Sequence, residues 1–149
     1  MLLGSSCVSK ILPWIVFKSK DSKVEVTRRK NECLRHGFGK EVWKEVSPLQ
    51  EDNSGYLLCQ IYRNKSGWWN SRLMKEWLQF NFGFRRCPEE NPILLLVDEF
   101  SGHWTPDVLE LAKRLNIIMM SVPPGYTCVA APPDVAWNAP LKSQLRKNG

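Results

Sequence analysis

Apolar residues occur in short runs that are separated by charged and turn-forming stretches. β-Branched and aromatic residues predict two strands of a hairpin at Leu2-Leu3 and Ile11 to Phe17, and a further strand at Tyr56 to Tyr62. Residues 18–55 are charged, weakly periodic and rich in turn formers. This segment is therefore predicted to be an exposed insertion.

A helix is predicted from Asn70-Ser71 to about Phe82. Asn70-Ser71 is a suitable N-terminal cap, and Gly83 supplies a stop signal. Apolar residues at three- and four-residue spacing form one face of this helix: Leu73, Met74, Trp77, Leu78 and Phe82. Such a stripe predicts a buried core face rather than a ligand site.

Two apolar runs without alternation follow, at Ile93 to Val97 and Ile117 to Val122. Runs of this kind are typical of parallel strands covered on both faces, so Ile93 to Val97 is predicted to be a central strand. Between them, Thr105-Pro106-Asp107 predicts a helix start with a hydroxyl cap and a proline at the first position. A strand, a crossover helix and a second strand indicate an α/β fold.

The length of 149 residues and a 43% hydrophobic content fit one globular domain over residues 1–149. The longest apolar run is far shorter than the roughly 20 residues of a membrane helix, so no membrane association is expected. The N-terminus lacks the features of a signal peptide, which indicates an intracellular protein.

Five scattered cysteines without paired spacing predict neither a disulfide framework nor a zinc site.

The net charge of +6 is compatible with binding to a polyanion, and equally with an ordinary soluble protein. Basic clusters occur at Arg28-Arg29-Lys30, at Arg85-Arg86 and at Lys142 to Lys147. Pro140 precedes the last of these clusters, and it would clash with the preceding turn of a continuous helix. The final helix is therefore predicted to kink at Pro140 or to begin there.

Asp98 ends a strand that is otherwise wholly apolar. Ligands gather at the carboxyl ends of strands in open α/β sheets, so a carboxylate at this position is well placed for chemistry. A simple loop-capping role is the alternative, and the position alone does not decide between the two.

Three blocks of sequence resemble the signature of pogo-like and Tigger-like DDE transposases. They are LLLVDEFSGHW at residues 94–104, PPGYT at 123–127 and PPDV at 132–135. In that family a strand ends in Asp, a Gly-His loop, a helix and a strand follow, and a third acid comes after a Pro-Pro loop. The resemblance implies an RNase H-like fold, which is a mixed sheet flanked by helices.

The resemblance also implies the chemistry of the site. Asp98 matches the second acid of the family's catalytic triad and Asp134 matches the third. These acids would be both catalytic and metal-binding, and the cofactor would be Mg²⁺ or Mn²⁺, since hard cations take oxygen ligands. A pair of such ions supports in-line attack on a phosphodiester. The implied partner is DNA, and the implied location is the nucleus.

The chain departs from the family pattern in several places. The family's first acid lies on a strand upstream of the hairpin that begins here at Leu2, so this chain is expected to lack both that acid and the first central strand. Asp21 follows the hairpin and should not substitute for it. Glu99 stands where the family usually has Asn, and Ala131 stands where it has Gln.

Residues that could contact DNA include a histidine in the Gly-His loop and the later basic clusters. His103 could approach a phosphate or orient Asp98, or it could simply pack on Trp104 at a helix start. The candidates for DNA contact are His103, Arg85, Arg86, Lys142, Arg146 and Lys147. Phosphate contacts of this type give affinity without sequence information.

Three hypotheses about function follow. The first is a DDE-superfamily, transposase-derived domain whose chemistry is metal-dependent DNA cleavage and strand transfer, inactive in this form because one acid is missing. The second is a domesticated or degenerate remnant that binds DNA or another partner without cutting. The third is a nonfunctional fragment or a gene model with a late start.

Overall fold

The computed structural model describes most of the chain and divides it into two compact units. The described residues are 3–5, 9–86, 90–126 and 138–147. The first unit is Met1–Trp68 and the second is Trp69–Gly149. Short strands and helices occur in both, so the architecture is mixed α/β, as predicted. No helix in these ranges has the length and hydropathy needed to cross a bilayer.

Three strands and two helices come first, and from β4 onward strands and helices alternate along the chain. The strands are β1 (Leu3–Gly4), β2 (Lys10–Ile11), β3 (Trp14–Lys18), β4 (Gln60–Asn64), β5 (Ile93–Val97) and β6 (Ile117–Ser121). The α-helices are α1 (Glu25–Leu34), α2 (Lys40–Val46), α3 (Ser71–Phe82), α4 (Pro106–Arg114) and α5 (Asn138–Lys147). Short 3₁₀ turns occupy Ser47–Gln50 and Ser101–His103.

The predicted hairpin is present but short. β1 pairs antiparallel with β2, whereas β3 pairs parallel with β4. The prediction of one continuous strand from Ile11 to Phe17 is wrong, because the strand breaks at Leu12-Pro13. Proline has no amide hydrogen to donate to a ladder. The carbonyl of Pro13 instead accepts from the Gln60 amide at 2.9 Å, which starts the pairing with β4.

The charged segment 18–55 contains α1 and α2, which its weak periodicity did not predict. Most of its side chains are exposed, but Asn31, Phe38 and Gln50 are buried. The Gln50 side-chain oxygen accepts from the Ile61 amide at 2.8 Å, which fixes the segment against β4. Whether it is an insertion relative to related proteins stays a prediction.

A buried arginine joins several parts of the first unit. Arg63 is 3% exposed, and its guanidinium donates to the carbonyls of Gly37 and Ser19 and to the carboxylate of Asp21 at 2.6 Å. A buried cation is tolerable only when it is paired and hydrogen-bonded in this way. Asp21 is thus a structural partner of Arg63, which agrees with its exclusion as a substitute for the first catalytic acid.

The strand predicted at Tyr56 to Tyr62 is shifted toward the C-terminus, since β4 begins at Gln60. The preceding residues form a tight turn instead. The Asp52 carboxylate accepts from the amides of Ser54 and Tyr56 at 2.8 and 2.9 Å, and Gly55 has a φ of +77°. Side-chain bonds of this kind compete with strand pairing.

In the second unit, the helix predicted from its cap is confirmed. The side chain of Asn70 accepts from the Leu73 amide at 3.0 Å, and α3 ends at Phe82 before Gly83. The predicted stripe is buried at Leu73, Met74, Trp77 and Leu78. These residues form the largest part of the unit's apolar core.

The predicted strand–helix–strand unit is also confirmed. β5 and β6 are parallel, with Ile93 opposite Ile117 and Val97 opposite Ser121. Helix α4 packs on β6 and on α3 through the buried Val108 and Ala112. The cap differs in detail, because the Thr105 hydroxyl donates to the Asp107 carboxylate at 2.6 Å instead of accepting from an amide.

The predicted burial of both faces of this sheet is wrong. Leu95, Val97 and Ile117 are buried, but the alternate side chains are about half exposed: Leu94, Leu96, Ile118 and Met120. Successive strand residues point to opposite faces, and α4 covers only one of them. Nor is β5 central here, since within the described part of the chain it pairs with β6 alone.

The last helix begins at Asn138, two residues before Pro140. Proline in the first turn replaces an amide that has no partner within the helix, so it does not require a kink. This places the helix start close to the predicted position.

Replacing Gly37 with alanine should destabilise the first unit strongly. Gly37 has a φ of +93°, and a Cβ there would lie 2.6 Å from the Arg63 carbonyl oxygen. We expect Gly37→Ala to lower the free energy of unfolding by about 3 kcal/mol, measured by urea denaturation. The matched control is Gly55→Ala, with a φ of +77° and open space around it, which should cost only about 1 kcal/mol. Equal losses in the two variants would contradict this account.

Candidate functional site

The candidate site lies where β5 and β6 end together. Their parallel register places Val97 opposite Ser121, and the Val122 amide donates to the Val97 carbonyl at 2.8 Å. Asp98 is the next residue after β5, and its side chain is 53% exposed. A parallel sheet therefore presents a solvent-accessible carboxylate at its carboxyl edge, where ligands bind in such sheets.

The loop after Asp98 is fastened to that residue through its side chain and its main chain. The carboxylate Oδ1 accepts from the Phe100 amide at 3.2 Å. The main-chain carbonyl of Asp98 accepts from the indole Nε1 of Trp104 at 2.9 Å. These two bonds restrict the orientation of the carboxylate relative to the sheet.

His103 lies beneath this loop and contacts the same carboxylate oxygen. It is 5% exposed, its Nε2 is 3.2 Å from Asp98 Oδ1, and its Nδ1 is 3.3 Å from the Met74 sulfur. The Phe100 ring packs edge-on against the imidazole at a centroid distance of 5.5 Å. Helix α3 thus supports His103 from below, and His103 supports Asp98.

Burial lowers the pKa of the His103 imidazole below its usual value, because the charged form loses its hydration. The nearby Asp98 carboxylate opposes part of this shift. A neutral ring carries one N–H, and an ionised carboxylate only accepts hydrogen bonds. In a neutral ring, Nε2–H is the tautomer that can donate to Asp98, and Nδ1 then carries its lone pair toward the Met74 sulfur.

Gly102 makes the tight loop possible. A Cβ at this position would lie 2.6 Å from a ring carbon of Phe100 and 3.3 Å from the Asn70 Cα. No larger residue fits without moving Phe100, which in turn packs on His103. The Gly-His pair of the sequence motif thus has a packing explanation.

A second exposed acid lies beside the first. The Glu99 carboxylate accepts from the Ser121 hydroxyl at the end of β6, at 3.4 Å. Sequence reasoning missed the partners Met74 and Ser121, and the Trp104 indole bond was not foreseen either. For His103, the sequence left open whether it would orient Asp98, approach a phosphate or pack on Trp104, and the structure shows the contact with Asp98.

The comparison with protein families shows to which family the chain belongs. The sequence model of the DDE superfamily endonuclease matches residues 4–149. The chain belongs to this family. Searches of curated proteins and of solved structures returned no match.

In this member of the DDE superfamily endonuclease family, the described residues include no group of three His, Cys, Asp or Glu side chains placed to hold a metal ion. Asp134, the other predicted acid, lies outside the described residues, so its distance from Asp98 stays a prediction. Asp98 itself fits an oxygen-liganded cation. Among the described residues both polar contacts of its carboxylate use Oδ1, and the group is half exposed.

The first turn of α4 begins directly after the site loop and is tied to α3. The Asp107 carboxylate contacts Lys75 Nζ at 2.5 Å. The Lys75 ammonium, together with the Thr105 hydroxyl, lowers the pKa of the Asp107 carboxyl to about 2. Asp107 therefore has a structural role, since its charge is already paired with that of Lys75.

The predicted DNA-contacting residues of the chain differ in their surroundings. Arg85 is half-buried, and its guanidinium donates to the carbonyls of Asn91 and Leu115, so it serves to hold the loop after α3. Arg86, Arg146 and Lys147 are exposed. Lys142 lies on α5, and its side chain is outside the described set. The burial of His103 favours its role toward Asp98 over a direct phosphate contact.

His103 can be tested by two substitutions of different chemistry. His103→Ala removes the contacts with Met74 and Phe100 together with the bond to Asp98, so the free energy of unfolding should fall by about 2–3 kcal/mol in urea denaturation. His103→Gln keeps a donor near the position of Nε2 and should cost about 1 kcal/mol. Ser101→Ala, an exposed change in the same turn, should stay within about 0.5 kcal/mol of the parent. A loss for His103→Ala no larger than that for Ser101→Ala would show that the ring does not support the loop.

Proposed function

We propose that this chain is a DNA-binding domain of the pogo-like, transposase-derived kind within the DDE superfamily, with Asp98 and Asp134 as its metal-holding acids. The observation that carries the proposal is the exposed Asp98 carboxylate at the carboxyl end of β5, held in place by buried His103. A loop cap alone does not require a buried imidazole beneath it. An RNase H-like sheet, as the family resemblance implies, is part of the same proposal.

The residues present suit Mg²⁺ or Mn²⁺ by their donor type. Carboxylate oxygens are the ligands that these hard cations prefer, and thiolates and imidazoles would instead favour softer metals. Bound ions would activate the attacking oxygen and stabilise the leaving oxygen in an in-line displacement at phosphorus. The contribution of this chain is to hold the Asp98 carboxylate in one orientation, through the Phe100 amide and His103.

We further propose that the 149-residue chain does not cleave DNA by itself. Two ions 3.5–4 Å apart, the rough spacing of two-metal sites, need several carboxylates to offset their charge. Asp21 pairs with Arg63 and Asp107 pairs with Lys75, so neither is available as a further ligand, and the exposed Glu99 carboxylate is directed to the Ser121 hydroxyl at the end of β6. Asp98 and Asp134 would then leave a cation under-coordinated.

Binding to DNA needs much less than cleavage does. Exposed cations such as Arg86, Arg146 and Lys147 need only reach phosphates, and a net charge of +6 favours encounter with a polyanion. A DNA substrate also gives the reason for the proposed nuclear location. A domesticated remnant that binds without cutting would show the same behaviour as this chain in a cleavage assay.

A plasmid-nicking assay tests the proposal. Supercoiled DNA with Mg²⁺ or Mn²⁺ should show the same background nicking with the parent chain, with Asp98→Ala and with Glu110→Ala, an exposed acid on α4 outside the site. The physical reason is the incomplete set of ligands. Cleavage by the parent and by Glu110→Ala that disappears in Asp98→Ala would mean that another residue completes the site.

The same preparations provide the binding control. Affinity for duplex DNA should fall steeply between about 50 and 200 mM salt, because each phosphate contact releases a counterion. Asp98→Ala should bind DNA at least as well as the parent, since it removes a negative charge. No binding at low salt, or binding that salt does not affect, would contradict the DNA-contacting role.

A further inference from the structure

One large aromatic side chain of the first unit is displayed to solvent on a short, fixed loop. Trp68 is 73% exposed and follows β4 by four residues. Isolated apolar residues on a surface need no explanation by themselves. The surroundings of Trp68 distinguish it from such residues.

The loop that carries Trp68 is held by the side chain of Asn64. Its Oδ1 accepts from the Gly67 amide at 2.6 Å and from the Ser66 hydroxyl at 3.0 Å, and its Nδ2 donates to the Trp68 carbonyl at 2.7 Å. The Trp68 amide in turn donates to the Ser66 hydroxyl at 3.1 Å. All the Trp68 atoms in these bonds belong to the main chain, so the backbone that carries the indole is held without using the indole itself.

Lysines occur on this loop and at the end of β3, which pairs with β4. Lys18 pairs with Asn64 in the β3–β4 register, and its side chain passes so close to Gly67 that a Cβ there would lie 2.8 Å from the Lys18 Cβ. Lys20 and Lys65 are also exposed on the two adjoining segments. The one acid between Lys18 and Lys23 is Asp21, whose charge is offset by the buried Arg63 guanidinium at 2.6 Å.

We propose that Trp68 stacks on an unpaired DNA base while Lys18, Lys20 and Lys65 contact the neighbouring phosphates. This inference rests on the proposed function only in taking DNA as the partner. Sites for single strands combine aromatic faces with cations that follow the backbone, and every base has a face on which an indole can stack. In a duplex the faces of the bases are already stacked on one another, so Trp68 would add little to the affinity for duplex DNA.

Tyr56, a similarly exposed aromatic residue of the first unit, does not share this setting. Tyr56 is 71% exposed, but it lies in the turn built on the Asp52 carboxylate, with Glu51 close by in sequence. Negative charge there would repel a phosphate backbone. Tyr56 is therefore the matched control, with similar exposure in the same unit and the opposite charge around it.

The test measures affinity by fluorescence anisotropy for a labelled oligothymidylate of about 16 nucleotides and for a duplex of the same length, near the upper site size of single-strand binding folds. Trp68→Ala should weaken binding to the single strand about tenfold, and Trp68→Phe, which keeps an aromatic face, should stay within about threefold of the parent. Duplex affinity should change less than about twofold, because phosphate contacts dominate it. Tyr56→Ala should leave both affinities unchanged.

The remaining outcomes separate this inference from the proposed function. If Trp68→Ala and the parent bind the single strand equally while duplex binding stays salt-sensitive, the stacking site is wrong and the proposed function stands. If no variant binds either DNA at low salt, the proposed function fails and this inference with it. Sedimentation with phosphatidylserine–phosphatidylcholine vesicles gives the third arm. Vesicle binding that is lost in Trp68→Ala, with single-strand affinity unchanged, would overturn the inference in favour of a lipid surface.

Discussion

The geometry of the site depends on the parallel pairing of β5 with β6. Parallel strands with a crossover helix finish at the same edge, so the residue after β5 and the last residue of β6 come together without any special contact between them. Ile93 opposite Ile117 sets the register, and the buried face under α4 fixes it, because a slip of one residue would turn Leu95 and Val97 toward solvent. Asp98 is thereby placed at an open edge by packing forces alone. The contacts that hold the Asp98 carboxylate come from the residues that follow it, Phe100 and His103.

What distinguishes Asp98 from an ordinary residue at a strand end is the buried imidazole beneath it. Burial disfavours the charged form of His103, so the ring donates to the carboxylate without cancelling its charge. An arginine or lysine in the same place would neutralise Asp98, as happens to Asp21 beside Arg63 and to Asp107 beside Lys75. Asp21 and Asp107 are thus paired with cations, whereas Asp98 is held by the Phe100 amide and a buried imidazole. That difference separates the candidate site from the structural ion pairs.

Features encoded by neighbouring residues were predictable from the sequence. The Asn70 cap, the buried stripe of α3 and the order of β5, α4 and β6 all follow from local chemistry and periodicity. Features that depend on distant partners were not. The buried Arg63 and Gln50 bond to groups far along the chain, namely the Gly37 carbonyl between α1 and α2 and the Ile61 amide in β4. The prediction that β5 is buried on both faces was wrong. An apolar run shows that both faces of a strand can be buried, but whether they are buried depends on which elements pack against them. At the site, the motif indicated Asp98, while the contact of His103 with Met74 needed the fold.

The central claim is that Asp98 is a carboxylate held ready for a divalent cation. Paramagnetic broadening of amide signals by Mn²⁺ tests it directly, because weak binding at one site suffices and no cleavage is required. We expect low concentrations of Mn²⁺ to broaden the amide signals of Glu99 and Phe100 selectively, and excess Mg²⁺ to reverse the effect by competition. Asp98→Asn, which keeps the size of the side chain and removes its charge, should abolish the broadening. Broadening of these signals that persists in Asp98→Asn, or its absence in the parent chain, would contradict the account.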